Sequence, residues 1–250
     1  MLPTAESLEG KRVPDVTFKT RVDDQWRDVT TDDVFKRRTV VVFALPGAYT
    51  PTCSSAHLPR YNELGDVLKA NGVSDIVCIS VNDAFVMNQW KQDQEAGNIT
   101  VLPDGNGEFA AGMGMLVDKS SLGFGKRSRR YSMLVKNGVI EKMFIEPDKE
   151  GDPFEVSDAD TMLRYINPNA IGPRSAVIFT KPGCPHCARA KALLHARGYR
   201  YDEFTLGKHV TSSTLRAVSG SGTWPQVFIS GRLIGSADEL DAYFSVRKAA

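Results

Sequence analysis

The apolar positions fall into two successive α/β stretches. Thr39-Val-Val-Val-Phe-Ala-Leu45 is an unbroken apolar run closed by Pro46-Gly47, the pattern of a central strand covered on both faces. Beyond it, Leu58, Tyr61, Leu64, Val67 and Leu68 recur at helical spacing, which predicts one amphipathic helix stopped at Asn71-Gly72. A β-branched run over 76–81 predicts the next strand, and Asn82-Asp83 can cap a helix carrying Phe85, Met87 and Trp90. Asn137-Gly138 between Tyr131–Lys136 and Val139–Ile145 signals a hairpin, because both residues tolerate the positive φ of a type I′ turn. A short helix follows over 157–166.

Asn167-Pro-Asn-Ala-Ile-Gly-Pro173 interrupts the pattern, since two prolines and a glycine in seven residues suit neither a helix nor a central strand. The break separates a domain over 1–166 from one over 174–250, with 167–173 as linker. In the second domain the pattern predicts a strand at 176–180, a helix at 184–197 closed by Gly198, and a strand at 201–206. A helix at 212–218, a hairpin of 226–230 and 232–234 about Gly231, and a helix at 238–246 complete the order βαβαββα.

Length and charge narrow the chemistry. A chain of 250 residues can bury a core in each half, and its formal net charge of +1 gives no global field for nucleic acid or an anionic membrane. Lys126-Arg-Ser-Arg-Arg130 is the local exception. No apolar run approaches the roughly 20 residues of a membrane span. Met1-Leu-Pro-Thr-Ala-Glu6 lacks the basic start and apolar core of a signal peptide. A soluble, cytoplasmic protein is expected.

Four cysteines are too few for a disulfide framework at this length. Cys78 lies in the β-branched run and reads as a small buried hydrophobe. Cys53 and Cys184 each stand just past a strand, where a helix begins. Unpaired N–H groups and the positive end of the helix dipole there favour a thiolate, the reactive form of the residue. Cys184-Pro-His-Cys187 is a dithiol motif. A metal reading fails for want of a second Cys or His pair at ligand spacing, and a haem reading fails because Ala188 follows Cys187. Cys53 has no such partner; its loop supplies the Thr50 hydroxyl, with Pro46 and Pro51 to stiffen and shield the approach.

Thr180-Lys-Pro-Gly-Cys-Pro-His-Cys187, Thr223-Trp-Pro-Gln-Val-Phe228 and Ile234-Gly-Ser-Ala-Asp238 resemble a glutaredoxin over residues 174–246. The resemblance implies Cys184 as an exposed nucleophile exchanging with glutathione mixed disulfides, and Cys187 as the thiol that resolves it. It also implies a glutathione site in which Thr223-Trp224-Pro225, with a cis-proline at 225, offers the Trp224 backbone. Lys181 would meet a glutathione carboxylate or thiolate, and Ser236 and Asp238 the γ-glutamyl end. Glutaredoxins usually carry a small β-branched residue where Trp224 stands and a glycine where Ser236 stands.

Pro46-Gly-Ala-Tyr-Thr-Pro-Thr-Cys-Ser-Ser-Ala-His-Leu-Pro59, Ser80-Val-Asn-Asp-Ala-Phe-Val86 and Arg130-Tyr-Ser-Met133 resemble a type-5 peroxiredoxin over residues 5–166. This resemblance implies Cys53 as the thiolate that attacks a peroxide oxygen. Thr50 and Arg130 would be donors and Pro46 a shield, with Arg127 and Arg129 as solvated neighbours. A charged thiolate alone does not account for fast O–O cleavage, which also needs preset donors and an in-line approach worth a few kcal/mol each. His57 reads as structural, and Trp90 as packing or an oligomer contact. The sulfur is expected to be open to the oxidant, with an arginine beside it.

Some type-5 peroxiredoxins keep a resolving cysteine late in the domain; 140–170 here holds none. The whole chain resembles the hybrid peroxiredoxin–glutaredoxin proteins of bacteria, with two thioredoxin-like α/β domains. It implies hydroperoxide as substrate, glutathione as reducing co-substrate, and no bound cofactor or metal. A seven-residue linker spans at most about 25 Å, so transfer between subunits of a homo-oligomer is a second route. The alternatives are a general thiol–disulfide oxidoreductase that removes glutathione from proteins, and a redox sensor.

Overall fold

Two units, 1–172 and 173–250, divide the computed structural model, which describes residues 6–149, 151–170, 172, 174–229 and 231–246. Of the expected linker, Ile171 and Pro173 lie outside the described residues, as do the start at 1–5, Ser230 in the last hairpin, and 247–250.

The first unit opens with a hairpin, β1 (Thr17–Val22) and β2 (Gln25–Thr30), and one capped turn, α1 (Thr31–Phe35). β3 (Thr39–Leu45) leads through the Pro46 loop into a helix whose first residues are Pro51 and Thr52. A π turn, Cys53–His57, continues it into α2 (Leu58–Glu63) and α3 (Gly65–Ala70). Then come β4 (Asp75–Ser80), α4 (Ala84–Asp93), β5 (Thr100–Pro103) and α5 (Glu108–Gly112). A small ribbon of β6 (Leu116–Asp118) and β7 (Lys126–Ser128) precedes the hairpin of β8 (Tyr131–Lys136) and β9 (Val139–Ile145), and α6 (Ala159–Ile166) closes the unit.

The main sheet runs β5-β4-β3-β8-β9, with β3 at its centre. Val41, Phe43 and Leu45 enter one core with Leu58, Tyr61, Trp90 and Cys53, while Val40, Val42 and Ala44 enter another with Phe18, Phe35 and Phe109. The run at 39–45 is unbroken because both faces are covered. In the β8–β9 hairpin, Asn137 and Gly138 take φ of 48° and 77°, as a type I′ turn requires. A bulge between Leu134 and Val135 then shifts the register by one, so that Tyr131 faces Ile145 and the chain meets Arg130 at Glu146.

The helix expected as one piece is interrupted. Pro59 has no N–H for the carbonyl four residues back, and its ring crowds that carbonyl, so the preceding turn widens. Leu58 N accordingly bonds to Cys53 O, five residues back. At the second break Gly65 passes the Asn98 side chain, where a Cβ would lie 2.5 Å from Asn98 Cβ.

The second unit holds β10 (Arg174–Thr180), α7 (Pro185–Ala196), β11 (Tyr199–Thr205), α8 (Ser212–Ser219), β12 (Gln226–Ile229), β13 (Arg232–Gly235) and α9 (Ala237–Val246). The order is βαβαββα. Its sheet runs β11-β10-β12-β13 over a core of Ile178, Leu194, Val227, Leu240 and Phe244. Among the described residues no helix is long and apolar enough to cross a membrane.

Candidate active site

Cys53 occupies the first turn of the broken helix, two residues after Pro51 at its start. The loop that delivers it is tied at both ends. Ala48 N donates to Asn82 Oδ1 (3.0 Å), Thr50 Oγ1 to Gly47 O (2.9 Å), and Ser54 N to Thr50 O (3.1 Å). The Thr50 hydroxyl proton is thus engaged by Gly47, leaving its oxygen lone pairs to accept. Trp90 is fully buried and donates from Nε1 to Ser54 Oγ at 2.9 Å, so it packs beneath this turn. Cys78, on β4, is buried too, and burial pushes its thiol well above the ordinary range.

Arg130 comes to Cys53 from the start of β8. Its Nη1 donates to Cys53 Sγ at 3.4 Å and lies 3.1 Å from His57 Nδ1; Nη2 reaches both oxygens of Asp152 at 2.5 Å. Arg130 is 3% exposed, and its Nε has no hydrogen-bond partner among the described residues. Phe154 presents its ring 5.5 Å from the guanidinium carbon. The site therefore pairs a thiol with a fixed cation and leaves one buried N–H without a partner. Arg129 instead pairs with Asp148, and Arg127 bonds to the Val81 carbonyl.

His57 is more than a helix-face residue. It is fully buried, ringed by Phe43, Tyr61 and Phe154, with Nε2 3.3 Å from Ser157 O. A guanidinium only donates, so Nδ1 accepts and the proton sits on Nε2. Burial first, and the Arg130 charge second, lower its pKa from 6.5 to about 3, against the opposing pull of the Ser157 carbonyl. The unfolded chain binds this proton below its ordinary pKa while the folded chain does not. The stability contribution is therefore whole above that value and is lost as pH falls towards the folded one. By about pH 5 the loss from His57 alone reaches about 2 kcal/mol. Urea unfolding of His57→Gln should show a correspondingly flatter decline over this interval; an unchanged slope would contradict the assignment.

The expectation of an open sulfur is not met: Cys53 is 0% exposed. The wide π turn carries it inward onto Phe43, Leu45 and Tyr61 in the core, under the Arg130 clasp. A cavity of about 80 Å³ reaches Pro46, Arg129, Arg130, Glu146 and Asp152 but stops short of Cys53. A larger one of about 220 Å³, lined by Phe18, Trp26, Asp83 and Asp104, includes none of these side chains.

In the second unit Cys184 caps α7, its Sγ accepting from Cys187 N at 3.2 Å. It is 9% exposed, less open than expected, because the cap turns the sulfur back over the helix and towards the Trp224 carbonyl at 4.0 Å. Burial, then the bond with Cys184, pushes the Cys187 thiol up to about 11. Cys184 is thus the sulfur at the helix end, and the Cys187 thiol stays protonated at neutral pH. The Trp224–Pro225 peptide is cis. Lys181 is exposed, and Thr223 accepts from Gln226 Nε2 through both its carbonyl and hydroxyl. Ser236 N donates to Glu239 Oε2 at 2.6 Å. Asp238 is paired with Arg189, a residue of α7 that the sequence reading did not select. Of the expected glutathione residues, Trp224 comes to Cys184 through its carbonyl, and the bonds described for Thr223, Ser236 and Asp238 run to Gln226, Glu239 and Arg189 and not to the sulfur.

Asp152, Phe154, Ser157 and Glu146 were also missed by sequence reasoning. They lie in a loop with no motif, and the signal available was the acid-rich Glu146-Pro-Asp-Lys-Glu-Gly-Asp152 returning beside a basic run. Among the described residues all four cysteines are free, and no cluster of His, Cys, Asp or Glu is placed to hold a metal ion.

Residues 8–163 match the Redoxin family and residues 176–234 the Glutaredoxin family. A hybrid peroxiredoxin of Haemophilus influenzae is 63% identical over 239 residues, covering 96% of this chain and 99% of that one. A peroxiredoxin of Synechocystis is 58% identical, covering 64% of this chain and 91% of its own. Reduced Prx3 of Vibrio vulnificus, solved with hydrogen peroxide, superposes with a TM-score of 0.61 at 40% identity, over 64% of this chain and 99% of that one. With two thioredoxin-like α/β units, a thiol under an arginine in the first and a dithiol at a helix end in the second, the chain belongs to the hybrid peroxiredoxins: a peroxidase with a glutaredoxin domain fused behind it.

Proposed function

We propose that the chain reduces hydrogen peroxide and alkyl hydroperoxides at Cys53 and draws its electrons from glutathione through Cys184 and Cys187. The observation that carries this reading is the clasp of Cys53 by Arg130, together with a dithiol elsewhere in the chain and no other cysteine near the end of the first unit.

The Cys53 thiolate attacks the terminal peroxide oxygen and the O–O bond breaks; that oxygen and its hydrogen stay on the sulfur, and the departing alkoxide or hydroxide takes up the proton given to solvent when the thiol ionised. Arg130 stabilises first the thiolate and then the charge moving onto the peroxide oxygens, with its unpartnered Nε–H as an added donor. The product is a sulfenic acid, the reversible first rung of thiol oxidation. A glutathione thiol attacks that sulfur and releases water, leaving a Cys53–glutathione disulfide. Cys184 thiolate then takes the glutathione sulfur and frees Cys53, and a second glutathione clears Cys184 as glutathione disulfide; where Cys187 clears it instead, the first glutathione is released and two others reduce the Cys184–Cys187 disulfide. The sum is hydroperoxide and two glutathione molecules giving alcohol or water, water and glutathione disulfide.

Tethering gives the second unit an effective concentration in the millimolar range where the linker spans the sites. A homo-oligomer in which Cys184 of one chain serves Cys53 of another meets the same need. Lys181, Thr223, Trp224, Pro225, Ser236 and Asp238 form the glutathione site, in a reducing cytoplasm.

Because Cys53 is covered, the oxidant enters along the Pro46–Arg130 cavity during local opening of the loop and the π turn. Ser substitution at Cys184 tests the route. Peroxide-dependent consumption of glutathione, coupled to glutathione reductase, should fall at least about tenfold while the first oxidation of Cys53 is unchanged. Equal turnover in both proteins would remove the second unit from the cycle.

The burial of Cys53 also favours a second reading, a glutathione-dependent disulfide reductase in which Cys184 does the main work and peroxide is incidental. Comparing turnover on a glutathionylated protein and on hydrogen peroxide separates the two.

A further inference from the structure

Glu146 has no place in the chemistry above, yet it is a carboxylate only 5% exposed and fully occupied. Its Oε2 accepts from Glu155 N at 2.8 Å, and its Oε1 accepts from Val156 N at 2.9 Å and Ser157 N at 2.7 Å. Its own N–H donates to Arg130 O at 3.1 Å. One residue thus joins the Arg130 backbone to the far end of the 147–157 loop. That loop carries three groups that hold the reacting centre: Asp152 on Arg130 Nη2, the Phe154 ring against both Arg130 and His57, and the Ser157 carbonyl. The last meets His57 Nε2 and accepts from Tyr61 Oη at 3.0 Å.

We propose that Glu146 is a positioning residue for the peroxidatic site: its carboxylate knots the loop whose Asp152, Phe154 and Ser157 fix Arg130 and His57 over Cys53. The charge matters because three N–H donors converge on it. A neutral amide in its place keeps one acceptor oxygen and turns its NH₂ towards backbone donors, so at least one N–H loses its partner. Burial opposes the ionised carboxylate, but the bonds from Ser157, Val156 and Glu155 outweigh it and hold the group below the ordinary glutamate range. Once the knot loosens, Asp152 no longer sets the guanidinium, and the donor to the reacting sulfur drifts. Misplacement of a charged donor by a fraction of an ångström to an ångström is costly in a preorganised site.

The inference rests on Cys53 as the reacting thiol, so Cys53→Ser is measured alongside. Glu146→Gln in the full chain should lower kcat/KM for hydrogen peroxide by about tenfold or more, by the scale of a displaced preset donor. Disulfide exchange at Cys184 with a small glutathione disulfide should stay at the wild-type level. Asp152→Asn alone should lower the same constant, and the double variant should be no more than about twofold below Glu146→Gln, because both act through one guanidinium. A residue that only stabilises the fold would shift the melting temperature and give effects that multiply. Should Glu146→Gln fail to reach the native circular dichroism, Glu146→Asp is read in its place, with a severalfold loss expected because the shorter arm cannot meet all three donors. Wild-type kcat/KM in whichever variant folds, or multiplying effects, overturns the proposal. Peroxidase activity surviving in Cys53→Ser would instead overturn the reading beneath it.

Discussion

Peroxide consumption by the intact chain falls by about a thousandfold or more when Cys53 becomes serine, because a serine hydroxyl does not ionise near neutral pH and offers no nucleophile to the O–O bond. The substitution removes one polarizable atom and leaves Arg130 with Asp152 and His57, so the fold and the Cys184 dithiol stay in place. The remaining thiols do not substitute for it. Cys78 is buried with its thiol pushed well up, Cys187 is held near 11, and Cys184 stands in the other unit without an arginine bonded to its sulfur among the described contacts. Hydrogen peroxide remaining against time, with glutathione and glutathione reductase present, is the measurement. Near-normal consumption would mean that the disulfide reductase reading is the correct one.

Arg130→Leu is the second large effect. It deletes the only cation bonded to Cys53 among the described residues, and with it the donors proposed above for the peroxide oxygens. Loss of one such donor costs about 3–4 kcal/mol of transition-state stabilisation, or about 10²–10³ in kcat/KM. Asp152, half exposed, can take up water, so the unfolding free energy should fall less than the activity does. Arg130→Lys should recover only part of the rate, since an ammonium cannot face Cys53, His57 and both Asp152 oxygens at once. Stopped-flow kinetics of the first oxidation give the comparison; a lysine variant at the wild-type rate would show that charge without the fork suffices.

Both cysteine motifs were legible because each is a local device. A strand, a tight turn and a helix start follow one another directly in the chain, so the local sequence is enough to place the thiol at the helix end. Cys184 as cap and Cys53 in the first turn follow from that logic. The β8–β9 hairpin was equally local, fixed by Asn137-Gly138.

What sequence did not show is non-local or a matter of geometry. The one-residue bulge in β8–β9 decides that Glu146 and not Ile145 meets Arg130, and no residue type announces it. Asp152 finds Arg130 from a loop without periodicity. The π turn was written in Pro59, but helical spacing in Leu58, Tyr61 and Leu64 outweighed it in the reading, and with it went the burial of Cys53. The hairpin β1–β2, turned by two aspartates at positive φ, carries no glycine to mark it and was missed. His57 looked like an ordinary helical histidine because its importance comes from an arginine far along the chain.

Passage of electrons from glutathione to the oxidised Cys53 sulfur by way of Cys184 is tested most directly by mass mapping of a trapped intermediate. Cys184→Ser protein is treated with one equivalent of hydrogen peroxide, then with glutathione, quenched, digested and mapped. One glutathione should be joined to the Cys53 peptide, persisting in this variant and absent from wild-type protein treated identically. Glutathione on another cysteine, or equal clearance of the Cys53 adduct in both proteins, would contradict it.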